Sequence, residues 1–121
     1  MKKDRTLVLG ASENPERYSY KAIRSLLNHG QKVAAIGAKK GVVNGVEFSK
    51  ERAAFDDIDT VTLYLSQKNQ VDYYDYILSL KPRRIIYNPG AENPELEALA
   101  EEMGIENLEA CTLVLLGTGQ Y

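Results

Sequence analysis

The feature that most constrains the fold is the alternation of short apolar runs with segments of helical periodicity. Four apolar runs, at 6–9, 32–36, 60–65 and 84–87, are short enough for strands buried on both faces, and a weaker run lies at 106–110. Between the runs, apolar residues recur with the spacing of amphipathic helices. Parallel neighbouring strands need a crossover, so this order predicts an α/β fold, a Rossmann-like three-layer sandwich with a five-stranded parallel sheet.

Single residues mark the ends of the first two predicted helices. The first helix ends at Gly30, a residue suited to a left-handed C-cap. The second begins after the N-cap Asn69 and stops before Pro82. Its expected apolar stripe is Val71, Tyr74, Ile77 and Leu78.

The third helix has the clearest start of the three. Asn93 is its predicted N-cap and Pro94 takes the first helical position. Its expected buried face is Leu96, Leu99, Ala100 and Met103. Elsewhere, one or two helical turns are expected at 49–55, and the run 112–116 fits either a strand or a short closing helix.

The size and charge of the chain limit its function classes. With 121 residues, 44% of them hydrophobic and 26% charged, residues 1–121 are expected to form one domain. The formal net charge of -2 provides no overall positive field for nucleic acid or an anionic membrane surface. The apolar runs are also far shorter than the about 20 residues of a membrane-spanning helix. We therefore expect neither kind of partner, and any anion site must be local.

The cysteine content and the N-terminus bear on the compartment. The single cysteine, Cys111, excludes an internal disulfide and suits a reducing compartment such as the cytoplasm. The charged residues 1–5 run directly into the first apolar segment, without the pattern of a signal peptide. The sequence has no spaced Cys and His pairs, so no metal site is predicted.

The expected ligand position follows from the fold. In doubly wound sheets, ligands bind outside the carboxyl ends of the strands, where the strand order reverses. The candidate site segments are therefore those that directly follow the strands: 10–20, 37–40, 66–68, 88–93 and Cys111.

The loop after the first strand consists of small residues that lead into a helix. Gly10, Ala11 and Ser12 allow backbone N–H groups to approach a pyrophosphate, and the helix N-terminus adds partial positive charge. The dinucleotide pattern G-x-G-x-x-G is not met, because Ser12 and Pro15 stand where its second and third glycines would be. A plain tight turn with a Ser cap is the alternative.

The end of the second strand favours a phosphorylated ribose. NAD sites typically place a carboxylate there for the ribose hydroxyls, whereas this chain has Gly37, Ala38, Lys39 and Lys40. Two lysines fit the extra phosphate of NADP or of the 3'-phosphorylated ADP in coenzyme A. A solvated pair of surface lysines is the alternative.

Five segments together carry a family resemblance: 8–19, the turn 28–30, the lysines at 39 and 40, 88–93 and 110–112. They resemble the stand-alone CoA-binding domains, which are similar to the CoA-binding Rossmann domain of the succinyl-CoA synthetase alpha subunit. The resemblance implies CoA as the ligand. Many relatives carry an Asn-Pro-Lys type turn after the second strand, where this chain has Ile-Gly-Ala-Lys at 36–39.

The resemblance also implies roles for particular residues. Gly10, Ala11, Ser12 and the segment up to Ser19 would face the phosphates, and the lysines would lie near the adenine and ribose. The full predicted cofactor-binding set is Gly10, Ala11, Ser12, Asn14, Tyr18, Ser19, Lys21, Gly37, Ala38, Lys39, Lys40, Ser66, Asn88, Pro89, Gly90 and Cys111. Cys111 is either a buried core residue or a thiol within reach of the pantetheine arm.

No catalytic residue is predicted. The single histidine, His29, stands beside Gly30 at a helix end, where it caps carbonyl groups and faces away from the ligand edge. We therefore expect a cytoplasmic domain that binds CoA or an acyl-CoA without catalysis, as a sensor or carrier. The alternatives are an NADP-dependent oxidoreductase domain and a protein-interaction module with a degenerate nucleotide pocket. The sequence predicts no particular protein partner.

Overall fold

The computed structural model describes residues 2–121, in which strands and helices alternate. The elements in chain order are β1 (Arg5–Leu9), α1 (Tyr18–Asn28), β2 (Lys32–Ile36), β3 (Gly41–Val43), β4 (Val46–Phe48), β5 (Ile58–Leu63), α2 (Gln67–Gln70), a 3₁₀ turn (Val71–Tyr73), α3 (Tyr74–Ser79), β6 (Arg84–Tyr87), α4 (Pro94–Glu102), β7 (Glu106–Glu109) and α5 (Thr112–Gly117).

A five-stranded parallel sheet forms the centre of the molecule. Its strand order is β2-β1-β5-β6-β7, with Leu7 of β1 opposite Ala34 of β2 and Val61 of β5. The order reverses between β1 and β5, which creates a crevice at their carboxyl ends. The predicted α/β Rossmann-like sandwich with a five-stranded parallel sheet is confirmed.

Helices cover both faces of this sheet, because its strands are apolar on alternate sides. Leu7 and Leu9 of β1 belong to a core with Ile77 of α3 and Leu96 of α4. Val8 points to the opposite face. There it belongs to a second core with residues of α1 and α5, which are Ile23, Leu26 and Leu116.

Two predicted helices need correction in detail. Asn69 is not an N-cap: it lies inside α2, and the 3₁₀ turn separates α2 from α3 and leaves Val71 50% exposed. In α4, Asn93 caps as predicted, since its Oδ1 accepts a hydrogen bond from the Leu96 amide at 3.1 Å. Met103 is 48% exposed, however, because α4 packs on β7, beyond which the sheet ends. Leu99 is likewise exposed, and of the predicted face only Leu96 and Ala100 are buried.

The crossover from β2 to β5 also differs from the prediction. It contains the antiparallel hairpin β3–β4, turned at Asn44 and Gly45, which both have positive φ angles. Residues 49–55 form no helix, and the hydroxyl of Tyr76 holds this segment by donating to the carbonyl of Ala53 at 2.6 Å. The run 112–116 is helical, in α5. Within residues 2–121 no helix has the length and apolarity needed to cross a membrane.

Candidate functional site

A groove of about 1070 Å³ lies at the carboxyl edge of the sheet, at the point where the strand order reverses. This volume lies slightly above the range of about 300–1,000 Å³ that is usual for small-molecule sites. The loops after β1, β2, β5, β6 and β7 all contribute to its walls. The groove therefore passes the carboxyl ends of all five strands of the sheet.

The structure brings together nearly all of the predicted site residues. Gly37 lines a smaller adjoining pocket instead, and Lys21 lies outside both spaces, with its Nζ 5.2 Å from the centre of the Tyr18 ring. The predicted residues that line the groove are Gly10, Ala11, Ser12, Asn14, Tyr18, Ser19, Ala38, Lys39, Lys40, Ser66, Asn88, Pro89, Gly90 and Cys111.

Gly10 and Ala11, the first residues of the loop after β1, make backbone contacts with the end of β2 and with the segment that follows β5. Gly10 has a φ of +103°, and a Cβ there would lie 2.9 Å from the carbonyl oxygen of Tyr64. The amides of Gly10 and Ala11 both donate to the carbonyl of Ile36 at 2.9 Å. These two N–H groups are therefore already used, and the expectation that they face a pyrophosphate needs correction.

The N-terminus of α1 is the better anion site in this loop. Its N-cap, Arg17, is extended and makes no side-chain hydrogen bond to the first turn, which contains no acidic residue. Tyr18 and Ser19, the first residues of the helix, line the groove together with Arg17. The first-turn amides and the helix dipole thus provide positive charge at this point of the groove.

Polar side chains fold the loop before α1. The Oγ of Ser12 accepts a hydrogen bond from the Asn14 amide at 3.0 Å. The Oδ1 of Asn14 in turn accepts from the Glu16 amide at 3.0 Å. Ser12 therefore shapes the turn as well as lining the groove.

The turn after β2 presents both lysines at the surface. Gly37 is buried beneath it, and a Cβ at Gly37 would lie 2.4 Å from the carbonyl oxygen of Ala11. Lys39 and Lys40 are exposed at the groove, and neither takes part in an ion pair within residues 2–121. Two free cations thus stand at this end of the groove.

Asn88 forms part of the groove wall but has no free amide atoms. Its Nδ2 donates to the Oγ1 of Thr62 at 2.7 Å and to the carbonyl of Leu63 at 2.9 Å. Its Oδ1 accepts from the Thr112 amide at 2.8 Å. With 3% of its surface exposed, Asn88 joins β5, β6 and the start of α5. The next residues, Pro89 and Gly90, are exposed.

Tyr64 and Cys111 also line the groove. Within residues 2–121 the buried hydroxyl of Tyr64 has no hydrogen-bond partner, and burial raises the pKa of Tyr64 to about 12. Tyr64 therefore remains protonated at neutral pH. The half-buried Cys111 lies at the N-cap of α5. Across residues 2–121 no group of His, Cys, Asp and Glu is arranged to hold a metal ion.

The smaller pocket continues the groove between β2 and β5. Its volume is about 330 Å³, and Gly10, Ala38, Leu65 and Asn69 line both spaces. The remaining lining residues are Ile36, Gly37 and Tyr73. The two spaces therefore adjoin each other.

Several lining residues were not predicted. Tyr64 and Leu65 follow directly on β5, which ends at Leu63, whereas the predicted strand continued to residue 65 and so included both. Phe48 reaches the groove from the hairpin, and only recognition of the Asn44-Gly45 turn would have indicated it. Other unpredicted lining residues are Asn69 and Leu113. His29 lies as predicted: its Nδ1 is 2.7 Å from the Ser25 carbonyl oxygen, at the opposite end of α1 from the groove.

Comparisons with known proteins give a family match. The family model described as the CoA binding domain matches residues 4–117. No curated protein matches the sequence significantly.

Solved structures of similar fold cover nearly the whole chain. A crystal structure titled only as that of an uncharacterized protein is 46% identical, with a TM-score of 0.95 and full coverage of both chains. The cell-free ID.343 protein of Thermus thermophilus is 21% identical, with a TM-score of 0.86 over 98% of this chain and 91% of that one.

A larger enzyme contains a domain of the same fold. It is the dinucleotide-forming acetyl-coenzyme A synthetase 1 of Ca. Korarchaeum cryptofilum, in complex with phosphate and ADP. It is 19% identical, with a TM-score of 0.73 over 90% of this chain and 26% of that one. At such identities this match, like that with the Thermus protein, shows the fold alone.

Proposed function

Because its residues 4–117 match the family model, the chain belongs to the CoA-binding domain family, and we propose that the groove binds CoA or an acyl-CoA without catalysis. The observation that carries this proposal is the charge pattern of the groove. Lys39 and Lys40, which form no ion pair within residues 2–121, and a helix N-terminus without a side-chain cap line it. The other charged lining residues are Arg17, Glu13 and Glu16. We further propose that the domain acts as a cytoplasmic sensor or carrier.

The adenosine end of the ligand is assigned to the turn after β2. Lys39 and Lys40 supply the charge that a 3'-phosphate requires. The adjoining pocket between Ile36 and Leu65 offers apolar side chains for the adenine ring.

The pyrophosphate is assigned to the N-terminus of α1. The amides of its first turn, near Tyr18 and Ser19, and the guanidinium of Arg17 provide positive charge there. Ser12 lies in the same loop and supplies a hydroxyl. This assignment replaces the amides of Gly10 and Ala11, which bond to Ile36.

The pantetheine arm is assigned to the rest of the groove. From α1 the groove continues to Pro89 and Gly90 and to Cys111 and Leu113. These residues offer a mostly apolar path with a thiol at its side. Binding without catalysis is supported by the position of His29, which lies at the far end of α1 from the groove.

A thermal-shift panel of CoA, dephospho-CoA, NADP and NAD tests this function. CoA at 100 times its dissociation constant should add about 2.7 kcal/mol, which for a domain of this size raises the unfolding midpoint by about 10 °C. Dephospho-CoA should give a smaller shift at equal concentration. A larger shift from NADP would indicate the oxidoreductase alternative, since the lysines also suit a 2'-phosphate. No shift from CoA, or equal shifts from CoA and NAD, would overturn the proposal.

A further inference from the structure

A completely buried amide side chain connects two of the loops that form the groove. Gln70, at the end of α2, has no exposed surface. Its Nε2 donates to the carbonyl of Leu65 at 2.7 Å and to the carbonyl of Ala91 at 2.8 Å. Both carbonyls belong to residues that line the groove, one after β5 and one after β6.

The orientation of this amide is fixed by its other atom. The Oε1 of Gln70 accepts a hydrogen bond from the Nδ2 of Asn93 at 2.8 Å. The same Nδ2 donates to the hydroxyl of Tyr74 at 2.8 Å, and Asn93 is fully buried. Every polar atom of the Gln70 side chain therefore has a partner, and a flipped amide would lose these bonds.

This arrangement fixes a distance as well as satisfying buried atoms. One nitrogen donates both bonds, so the two carbonyl oxygens cannot lie further apart than those bonds placed end to end. An apolar side chain of similar size would fill the same space but leave both carbonyls without a donor, which is costly in a buried position. The side chain thus holds the loops after β5 and β6 together.

We propose that Gln70 is a positioning residue that sets the separation of these two loops and thereby the affinity for a ligand that spans both. This inference rests on the proposed function. Leu65 stands beside the pocket assigned to adenine, and Ala91 adjoins the Pro89 and Gly90 segment assigned to pantetheine. With this assignment CoA would span both loops, whereas adenosine 3',5'-bisphosphate would end before the second.

The substitution Gln70→Glu tests the proposal with almost no change in size. A carboxylate cannot donate to either carbonyl, and a neutral carboxyl group can donate to only one of them, so in both forms the loops should separate. CoA affinity, measured by calorimetry, should fall about tenfold, while the affinity for adenosine 3',5'-bisphosphate should stay within about twofold of the wild type. A merely structural role would weaken both ligands alike.

Tyr74→Phe is the matched control. It removes another buried partner of Asn93 but leaves both bonds from Gln70 to the loops. Its ratio of CoA affinity to bisphosphate affinity should equal that of the wild type. If Tyr74→Phe lowers the ratio of CoA affinity to bisphosphate affinity as much as Gln70→Glu does, the positioning role does not belong to Gln70.

Hydrogen exchange on the wild-type protein provides a test that needs no variant. The backbone amide of Gln70 donates to the carbonyl of Ser66, and the backbone amide of Ala91 donates to the carbonyl of Asn88. The exchange rate of each backbone amide therefore reports on the opening of one loop. If Gln70 joins the loops, both amides should exchange with the same opening free energy. Independent opening of the two, or unchanged CoA affinity in a folded Gln70→Glu protein, overturns the inference. Wild-type protein that binds neither ligand would instead overturn the proposed function.

Discussion

The carboxylate of Glu13 accepts a hydrogen bond from the backbone amide of Val42 at 2.9 Å. This contact joins the loop after β1 to the hairpin that directly follows the two lysines. Gly41 makes room for it, because a Cβ at Gly41 would lie 2.7 Å from the Cγ of Glu13. The lysine turn is therefore held from both sides, by β2 and by this contact.

Removing the Glu13 contact should reduce discrimination between CoA and dephospho-CoA. Glu13→Ala frees the hairpin, so the affinity ratio of the two ligands should fall about two- to tenfold, the worth of one net hydrogen bond. Glu13→Gln keeps an acceptor for the Val42 amide and should retain the wild-type ratio in the same calorimetric titration. If the ratio of CoA affinity to dephospho-CoA affinity falls equally in both variants, the charge of Glu13 matters and not its hydrogen bond.

Lys39 and Lys40 should contact the 3'-phosphate of CoA directly. In a double Lys39→Ala and Lys40→Ala variant, CoA should lose about 1.5–3 kcal/mol more binding free energy than dephospho-CoA, because charge-assisted contacts are lost. Lys50→Ala, which changes an exposed lysine outside the groove, is the control and should alter neither affinity. If both ligands weaken equally in the double variant, the lysines do not contact that phosphate.

A carboxylate at position 12 should prevent binding of the pyrophosphate. Ser12→Asp retains an acceptor for the Asn14 amide, so the turn should fold, while its charge repels the phosphates. Ser12→Asn has nearly the same shape without the charge and should bind CoA more tightly than Ser12→Asp. Circular dichroism checks the fold and calorimetry the affinity. Wild-type affinity in a folded Ser12→Asp protein would locate the phosphates elsewhere.

Substitution of Asn88 should lower the free energy of unfolding more than it lowers the affinity for CoA. Asn88→Ala removes three buried hydrogen bonds and leaves the Thr112 amide without its partner, so unfolding in urea should become easier by about 2–4 kcal/mol. Asn88→Asp keeps the acceptor for Thr112 and should be less destabilised if the carboxyl group remains neutral. A stable Asn88→Ala protein that no longer binds CoA would support the predicted role of Asn88 as a ligand contact.

Cys111 should exchange with CoA disulfide if the pantetheine arm follows the assigned path. Attack of the Cys111 thiolate on the disulfide would form a protein–CoA mixed disulfide and release one CoA thiol. Intact-protein mass spectrometry should then show an adduct of the size of CoA that reductant removes and that Cys111→Ser lacks. An unmodified wild type, under conditions where CoA binds, would leave Cys111 as a packing residue.

Local patterns were sufficient to predict the sheet and its ligand edge. Short apolar runs identify buried strands, and a parallel sheet then brings the segments after those strands together. The hairpin was not predicted, because its strands have three residues each and are too short to show such a pattern. Its signal was the turn Asn44-Gly45, which favours the positive φ angles that both residues adopt.

The details of the site depend on contacts that no local pattern contains. The amides of Gly10 and Ala11 bond to Ile36 because β2 lies beside β1, and that pairing is a property of the whole sheet. Gln70 stands among polar residues in a short helix, where glutamine is usually exposed. Gln70 is buried because the carbonyls of Leu65 and Ala91, which come from separate loops, both accept hydrogen bonds from its side chain.

The close approach at Gly37 limits how this site can be redesigned. A Cβ there would lie 2.4 Å from the carbonyl oxygen of Ala11, so the two backbones already touch. The width of the adjoining pocket at this point is fixed by main chain, and trimming side chains cannot enlarge it. A variant intended for a bulkier heterocycle must change the length of the connection from β2 to the hairpin.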